Sequence, residues 1–189
     1  MLTVNLSGAD DAPLFTKPAN ITLTDTFAPN TFTVQSGRLA ATDAEKGALT
    51  YGIQGGTPQG PTVKLTTTYG TLTVTKASGA YFFAPNATAI NALDANAGAD
   101  FTVTATAGGA TSRQRLTLNL TGANDAPILA TPTVIALTDT QQADSFAPIT
   151  GKLAATDAES STISYKIYAA GAGVTDNGSV TAMTSLTAP

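Results

Sequence analysis

Apolar and polar residues alternate along much of the chain with a period of two, the spacing of a half-buried β-strand. The pattern predicts seven or eight short strands in one stretch of the chain, with a bend at Gly37 in the second. The predicted strands cover residues 21–25, 32–43, 48–53, 63–68, 71–75, 80–84, 101–107 and 115–120. Residues 85–96 predict a helical turn. Short strands at this spacing are typical of an antiparallel Greek-key β-sandwich, so the expected fold class is all-β.

The sequence repeats itself at an offset of 114 residues. LAATDAE at 39–45 returns at 153–159, and LTVNLSGADDAP at 2–13 returns as LTLNLTGANDAP at 116–127. When residues 1–53 are aligned with 115–167, 26 of 53 positions are identical without a gap. A period of this length is a whole domain, since solenoid units span ~20–50 residues. The predicted domains are the final strand and linker of a preceding repeat (1–13), one complete repeat (14–127) and the first part of the next (128–189).

The composition narrows the class of protein. The net charge is −4 without a cluster of Lys or Arg, so a nucleic-acid partner is not expected. No apolar run approaches the ~20 residues of a membrane-spanning helix, so membrane insertion is not expected either. The chain contains no cysteine and no histidine. These absences exclude disulfides, thiolate metal sites and the usual hydrolase triad, and we expect no enzyme.

The few acidic residues gather in short segments that recur with the repeat. Asp43 and Glu45 are two residues apart, as are Asp157 and Glu159, and such positions face the same side of an extended strand. Converging carboxylates repel unless a cation lies between them, and Ca²⁺ takes six to eight oxygen ligands. The Asn-Asp pair at 124–125 adds oxygens on a linker that the following proline stiffens. Alternatively, these side chains cap turns through backbone amides.

Several motifs resemble those of cadherin repeats and, more closely, of bacterial VCBS repeats. GANDAP at 122–127 resembles the cadherin linker DxNDNAP, TDAEKGALTYGI at 42–53 resembles the cadherin DAD stretch, and LDANAGADFTVTATAGG at 93–109 resembles the LDRE segment with its following strand. GAYFFAPN at 79–86 and QRLTLNLTGANDAP at 114–127 resemble VCBS signatures. The resemblance covers nearly all of the complete repeat. It implies Ig/cadherin-like modules in tandem, as in the extender regions of large RTX-type surface adhesins exported by type I secretion.

The resemblance also implies a set of calcium ligands, because calcium stiffens the junctions between repeats in this family. It implies one or two ions per junction. The implied ligands of the downstream junction are Asp25, Asp94, Asn124, Asp125, Asp157 and Glu159, and those of the upstream junction are Asp10, Asp11, Asp43 and Glu45. Ala107 and Asn96 stand where cadherins carry acidic residues, so the carboxylate count is lower than in a full cadherin junction.

These observations predict a calcium-stiffened structural extender of a large secreted or bacterial cell-surface adhesin, whose partners are the neighbouring repeats. One alternative is a subunit of a surface filament or sheath in which like chains join by strand addition. It arises because the segment 128–189 lacks counterparts of the strands at 80–84, 101–107 and 115–120 and so would expose strand edges. The other alternative is a carbohydrate- or protein-binding module.

Overall fold

The computed structural model describes residues 2–5 and 7–166, which divide into two compact units at Ala126 and Pro127. The described part of the first unit contains eleven strands and one short helix. These are β1 (Leu14–Phe15), β2 (Ile21–Thr24), β3 (Gln35–Arg38), β4 (Ala41–Thr42), β5 (Thr50–Ile53), β6 (Thr57–Gln59), β7 (Thr62–Thr67), β8 (Gly70–Thr75), β9 (Ala80–Pro85), α1 (Ala87–Asn91), β10 (Ala97–Ala107) and β11 (Ala110–Thr121). Within the described ranges, no helix has the length and apolar character needed to cross a membrane.

Two sheets pack face to face in the first unit. One has the strand order β2-β11-β10-β5 and the other β3-β9-β8-β7-β6. The last two strands in sequence, β10 and β11, lie between β2 and β5, which is a connection of the Greek-key type. The inward side chains of both sheets form one core, in which the rings of Phe83 and Phe101 meet edge to face at 6.0 Å. The prediction of an all-β sandwich is confirmed.

The longest hairpin, β10 with β11, shows how the sequence alternation becomes a core. Phe101, Val103 and Ala105 are fully buried, while the threonines between them are partly exposed. The two strands pair from Ala97 opposite Leu120 to the turn at Gly108 and Gly109. Burial of one large apolar side chain stabilises a fold by roughly 1.5–3 kcal/mol, so the inward face of this hairpin is a major source of stability.

The predicted strand at 32–43 is divided into β3 and β4, and the break does not fall at Gly37. Gly37 lies within β3, where it leaves room for the ring of Tyr81. The break falls at Leu39, whose side chain is buried in the core and whose N–H donates to the carbonyl of Gly79 at 2.8 Å. The bend predicted at Gly37 is therefore wrong, because the glycine serves close packing rather than a change of direction.

The sheets are not purely antiparallel. β2 pairs with β11 in parallel, with Ile21 opposite Leu118 and Leu23 opposite Leu120. The two strands are far apart in sequence, so the parallel direction follows from the path of the chain through the whole sandwich and not from a local turn. This pair places the end of β2 beside the end of β11.

Gly70 offers a direct test of the packing between β8 and β9. Its φ is 146°, and an added Cβ would collide with the carbonyl of Ala84 and the ring of Phe83. We expect Gly70→Ala to lower the free energy of unfolding by on the order of 4 kcal/mol, from backbone strain and overpacking together. Gly60→Ala is the matched control, because Gly60 also has a positive φ, 54°, but open space around it. It should lose only about 1–2 kcal/mol. Equal losses in urea unfolding would contradict the packing described.

The second unit repeats the first strand pair of the first. Its strands β12 (Ile128–Leu129) and β13 (Ala155–Thr156) pair in the register of β1 with β4, shifted by 114 residues. No strand occurs among the described residues 130–154 between them or among residues 2–5 and 7–13 of the first unit. The predicted assignment of residues 1–13 to a preceding repeat stays a prediction, and part of the predicted third domain, residues 167–189, lies outside the described residues.

Candidate metal centre

Two aspartates from distant parts of the sequence lie buried beside each other in the first unit. Asp25 directly follows β2, and Asp125 lies four residues after the end of β11. Only 2% of Asp25 and 1% of Asp125 are exposed. A carboxylate oxygen of Asp25 lies within 4.8 Å of one of Asp125. The structure thus brings together two of the residues predicted as ligands of the downstream junction.

The parallel pairing of β2 with β11 is the cause of this juxtaposition. The last residues of the two strands, Thr24 and Thr121, lie opposite each other. The N–H of Asp25 continues the ladder by donating to the carbonyl of Thr121 at 2.9 Å. Further on, the N–H of Ala126 donates to the carbonyl of Phe27 at 3.1 Å. The linker and the loop after β2 are therefore tied together on both sides of the two carboxylates.

Two asparagines hold the loop that follows Asp25. The side chain of Asn30 accepts a hydrogen bond from the N–H of Thr26 at 2.7 Å. The backbone of Asn30 is itself fixed by Asn91 at the end of α1, which accepts from its N–H and donates to its carbonyl, both at 3.0 Å. Helix α1 therefore positions the loop beside the aspartates. Sequence reasoning missed both asparagines.

A signal for Asn30 was present in the repeat. The residue 114 positions later is Asp144, whose carboxylate accepts from the N–H of Thr140 at 2.5 Å, as Asn30 accepts from Thr26. This backbone hydrogen bond lowers the pKa of Asp144. An oxygen acceptor at the same repeat position in both units therefore marks a structural turn.

The electrostatics of Asp25 favour a bound cation. Both of its carboxylate oxygens are buried, and neither accepts a hydrogen bond. Burying an ionised carboxylate without donors costs on the order of several kcal/mol, and a second carboxylate nearby adds repulsion. A cation at this point would remove both penalties. Carboxylate oxygens are the ligands that a hard cation such as Ca²⁺ prefers, so the residues present fit calcium.

Two other predicted downstream ligands lie near the aspartates along the backbone but are exposed. Asp94 is part of the turn after α1, whose carbonyls at Leu93 and Ala95 pack against Gly122 at the start of the linker. Asn124 donates its side-chain N–H to the carbonyl of Asp125 at 2.9 Å. The turn and the linker are thus in contact, while the Asp94 and Asn124 side chains are not buried with the pair.

The aspartates of the repeated heptapeptide act as turn caps. A carboxylate oxygen of Asp43 accepts from the N–H of Gly47 at 2.6 Å. In the second unit, Asp157 accepts from the N–H groups of half-buried Glu159, at 3.2 Å, and of Ser160, at 2.7 Å. The expected extended backbone is therefore wrong for both pairs, since β4 ends at Thr42 and β13 at Thr156. The alternative interpretation, capping of turns, describes one contact of each aspartate.

The predicted upstream ligands approach one end of the first unit without converging on one point. Asp10 lies against Gly108 in the β10–β11 turn, and Gly47, which binds Asp43, lies beside Ala107 of the same turn. One oxygen of Asp43 is buried without a hydrogen-bond partner. Asp11 and Glu45 are exposed, and within the described ranges the upstream set provides no group of three close carboxylates. Their role as ligands stays a prediction.

Comparison with known proteins adds a single structural likeness here. No family model matches the sequence, and no curated protein matches it. Among solved structures, the chain is similar to the human protocadherin-24 EC1-2 fragment, form II, with a TM-score of 0.40 and 15% identity over 79% of this chain. The chain spans 60% of the length of that structure. The fold and the aspartate pair thus define the class: a β-sandwich protein with a candidate cation site.

Proposed function

We propose that the chain is a structural extender segment of a large secreted or cell-surface protein, and that calcium stiffens it where one repeat meets the next. The observation that carries the proposal is Asp25, a buried carboxylate without hydrogen-bond donors, beside Asp125. These residues lie where the first β-sandwich ends and the next repeat begins in sequence. A site at that position affects the connection between repeats more directly than the interior of either.

The proposed mechanism is a shift of population. Asp25 and Asp125 would hold the ion from the first unit, and the repeat pattern assigns Asp157 and Glu159 to the same junction. Calcium bound by residues of successive repeats favours the arrangement in which all of them reach it, at the expense of other arrangements. The ion would also stabilise the folded state by mass action.

The proposed setting is the bacterial cell surface, in an adhesin of the RTX type exported by type I secretion. The support for this setting is the resemblance of the linker and strand motifs to VCBS repeats. The proposed role is mechanical and includes no catalysis, since the chain lacks histidine and cysteine and its acidic motif recurs in each repeat.

Small-angle scattering of the 189-residue chain tests the stiffening, with calcium, with magnesium as the control cation and with a chelator. Curves are extrapolated to zero protein concentration. We expect calcium, and not magnesium, to increase the maximum dimension and to narrow the distribution of distances. Isothermal titration in the same buffers measures calcium binding itself. Binding without any change in scattering would contradict the stiffening role while leaving the metal site intact, and no binding would contradict both.

A further inference from the structure

The second unit exposes residues that are core in the first. Residues 135–138 are the repeat counterparts of β2. In the first unit β11 lies beside β2, and Ile21 and Leu23 are only 5% and 7% exposed. The corresponding residues of the second unit, Ile135 and Leu137, are 65% and 59% exposed. The same two sequence positions therefore face a core in one unit and solvent in the other.

The exposed residues border an open apolar cavity. It has a volume of about 620 Å³ and lies between residues 132–136 and 149–153. The counterparts of these segments in the first unit, 18–22 and 35–39, contribute Ile21 and Leu39 to the closed core. Exposed apolar surface of this kind is uncommon on a soluble domain and marks a site of interaction.

The missing neighbour of residues 135–138 can be named from the repeat. In the first unit that neighbour is β11, which contains LTLNLT at 116–121. The sequence from 128 to 189 contains no counterpart of this strand, but LTVNLS at 2–7 is one. Leu2 and Val4 are exposed, and residues 2–5 form no strand in the structure. One chain thus carries a copy of the β11 sequence without a sheet and a sheet edge without its β11.

We propose that residues 2–7 of one copy bind the second unit of another copy as a parallel strand beside residues 135–138. The register follows from the first unit, where Leu118 lies opposite Ile21. It places Val4 opposite Ile135. Backbone hydrogen bonds would provide affinity, and apolar side chains entering the open core would provide specificity, as in other cases of strand addition.

The donor strand and the acceptor edge are different surfaces, so this contact is head-to-tail. A head-to-tail contact that does not close into a ring produces an open chain of copies. The added strand also removes an exposed edge, which would otherwise be prone to unspecific pairing. The inference goes beyond the calcium-stiffened extender and does not depend on the metal site.

Three single variants of the full chain test the contact by sedimentation velocity over a range of protein concentrations. The wild-type chain should form species whose mass grows with concentration. Val4→Asp should abolish growth by disabling the donor, and Ile135→Asp should abolish it by disabling the acceptor. Val34→Asp is the matched control, because Val34 is exposed in the first unit and lies outside both surfaces. It should assemble as the wild type does.

A mixture of the two disabled variants distinguishes strand addition from unspecific aggregation. Val4→Asp keeps an intact acceptor and Ile135→Asp keeps an intact donor, so the mixture should form dimers and nothing larger. A synthetic peptide of residues 2–13 should reduce wild-type assemblies to monomers, and a scrambled peptide should not. The proposal is overturned if the wild-type chain stays monomeric at every concentration, if Val4→Asp assembles normally, or if the mixture forms species larger than dimers.

Discussion

Calcium should raise the thermal midpoint of the wild-type chain, and Asp25→Asn should abolish that rise. At a calcium concentration 100 times the dissociation constant, linkage stabilises the folded state by about 2.7 kcal/mol. For a unit of this size the gain corresponds to a rise on the order of 10 °C. The reason is that Asp25 is buried beside Asp125 and its oxygens accept no hydrogen bond, so its charge is stabilised only when a cation is bound.

The sign of the Asp25→Asn effect should reverse when calcium is removed by a chelator. The amide has nearly the same shape but no charge, so the variant loses a buried charge and its repulsion with Asp125. Without calcium it should therefore melt at a higher temperature than the wild type, and with calcium at a lower one. Scanning calorimetry under both conditions measures this crossing.

Asp100→Asn is the control for the loss of one carboxylate. Asp100 is exposed and forms an ion pair with Arg115 at 3.2 Å, a contact expected to contribute less than about 1 kcal/mol. Its effect should be small and equal with and without calcium. If Asp25→Asn melted lower than the wild type in chelator and kept the full calcium response, the Asp25 carboxylate would have a structural role and would not bind the ion.

Phe83→Ala should be strongly destabilising, while Phe82→Ala next to it should be tolerated. The two residues are adjacent in β9 and point to opposite faces of the sheet. Phe83 is fully buried against Phe101 where the sheets meet, and Phe82 is 43% exposed. We expect a loss of about 3–5 kcal/mol for Phe83→Ala, because it opens a cavity between the sheets. The loss for Phe82→Ala should be below about 1 kcal/mol.

Urea unfolding at a fixed calcium concentration measures both phenylalanine variants, with the metal contribution held constant. The pair makes the same chemical change at neighbouring positions, so the difference reports only which face each ring occupies. Similar losses for both variants would show that the alternation of β9 between core and solvent is not as described.

The alternation of residue types was sufficient to predict the strands that carry the core. β10 is the clearest case, since the stretch predicted at 101–107 lies within the strand Ala97–Ala107. The strand extends further because Ala97 to Asp100 pair with β11, and pairing with a neighbour does not need an alternating pattern. β1 has two residues, too few to show a period.

The parallel pairing of β2 with β11 could not be read from any local pattern, because it depends on how the whole chain folds. The candidate site depends on that pairing. The sequence named Asp25 and Asp125 through a family resemblance, and only the fold shows why they are neighbours. The sequence could not separate ligands from turn caps at Asp43 and Asp157, because both roles select an aspartate before a tight turn.

The parallel pair β2–β11 also determines how the first unit would respond to tension. The chain enters β2 at one end of the pair and leaves β11 at the opposite end. A pull on the two ends of the unit, once the two-residue pair β1–β4 has parted, would slide the strands past each other in shear. All the hydrogen bonds of the pair would then bear the load at once, whereas strands peeled from one end would break them one after another.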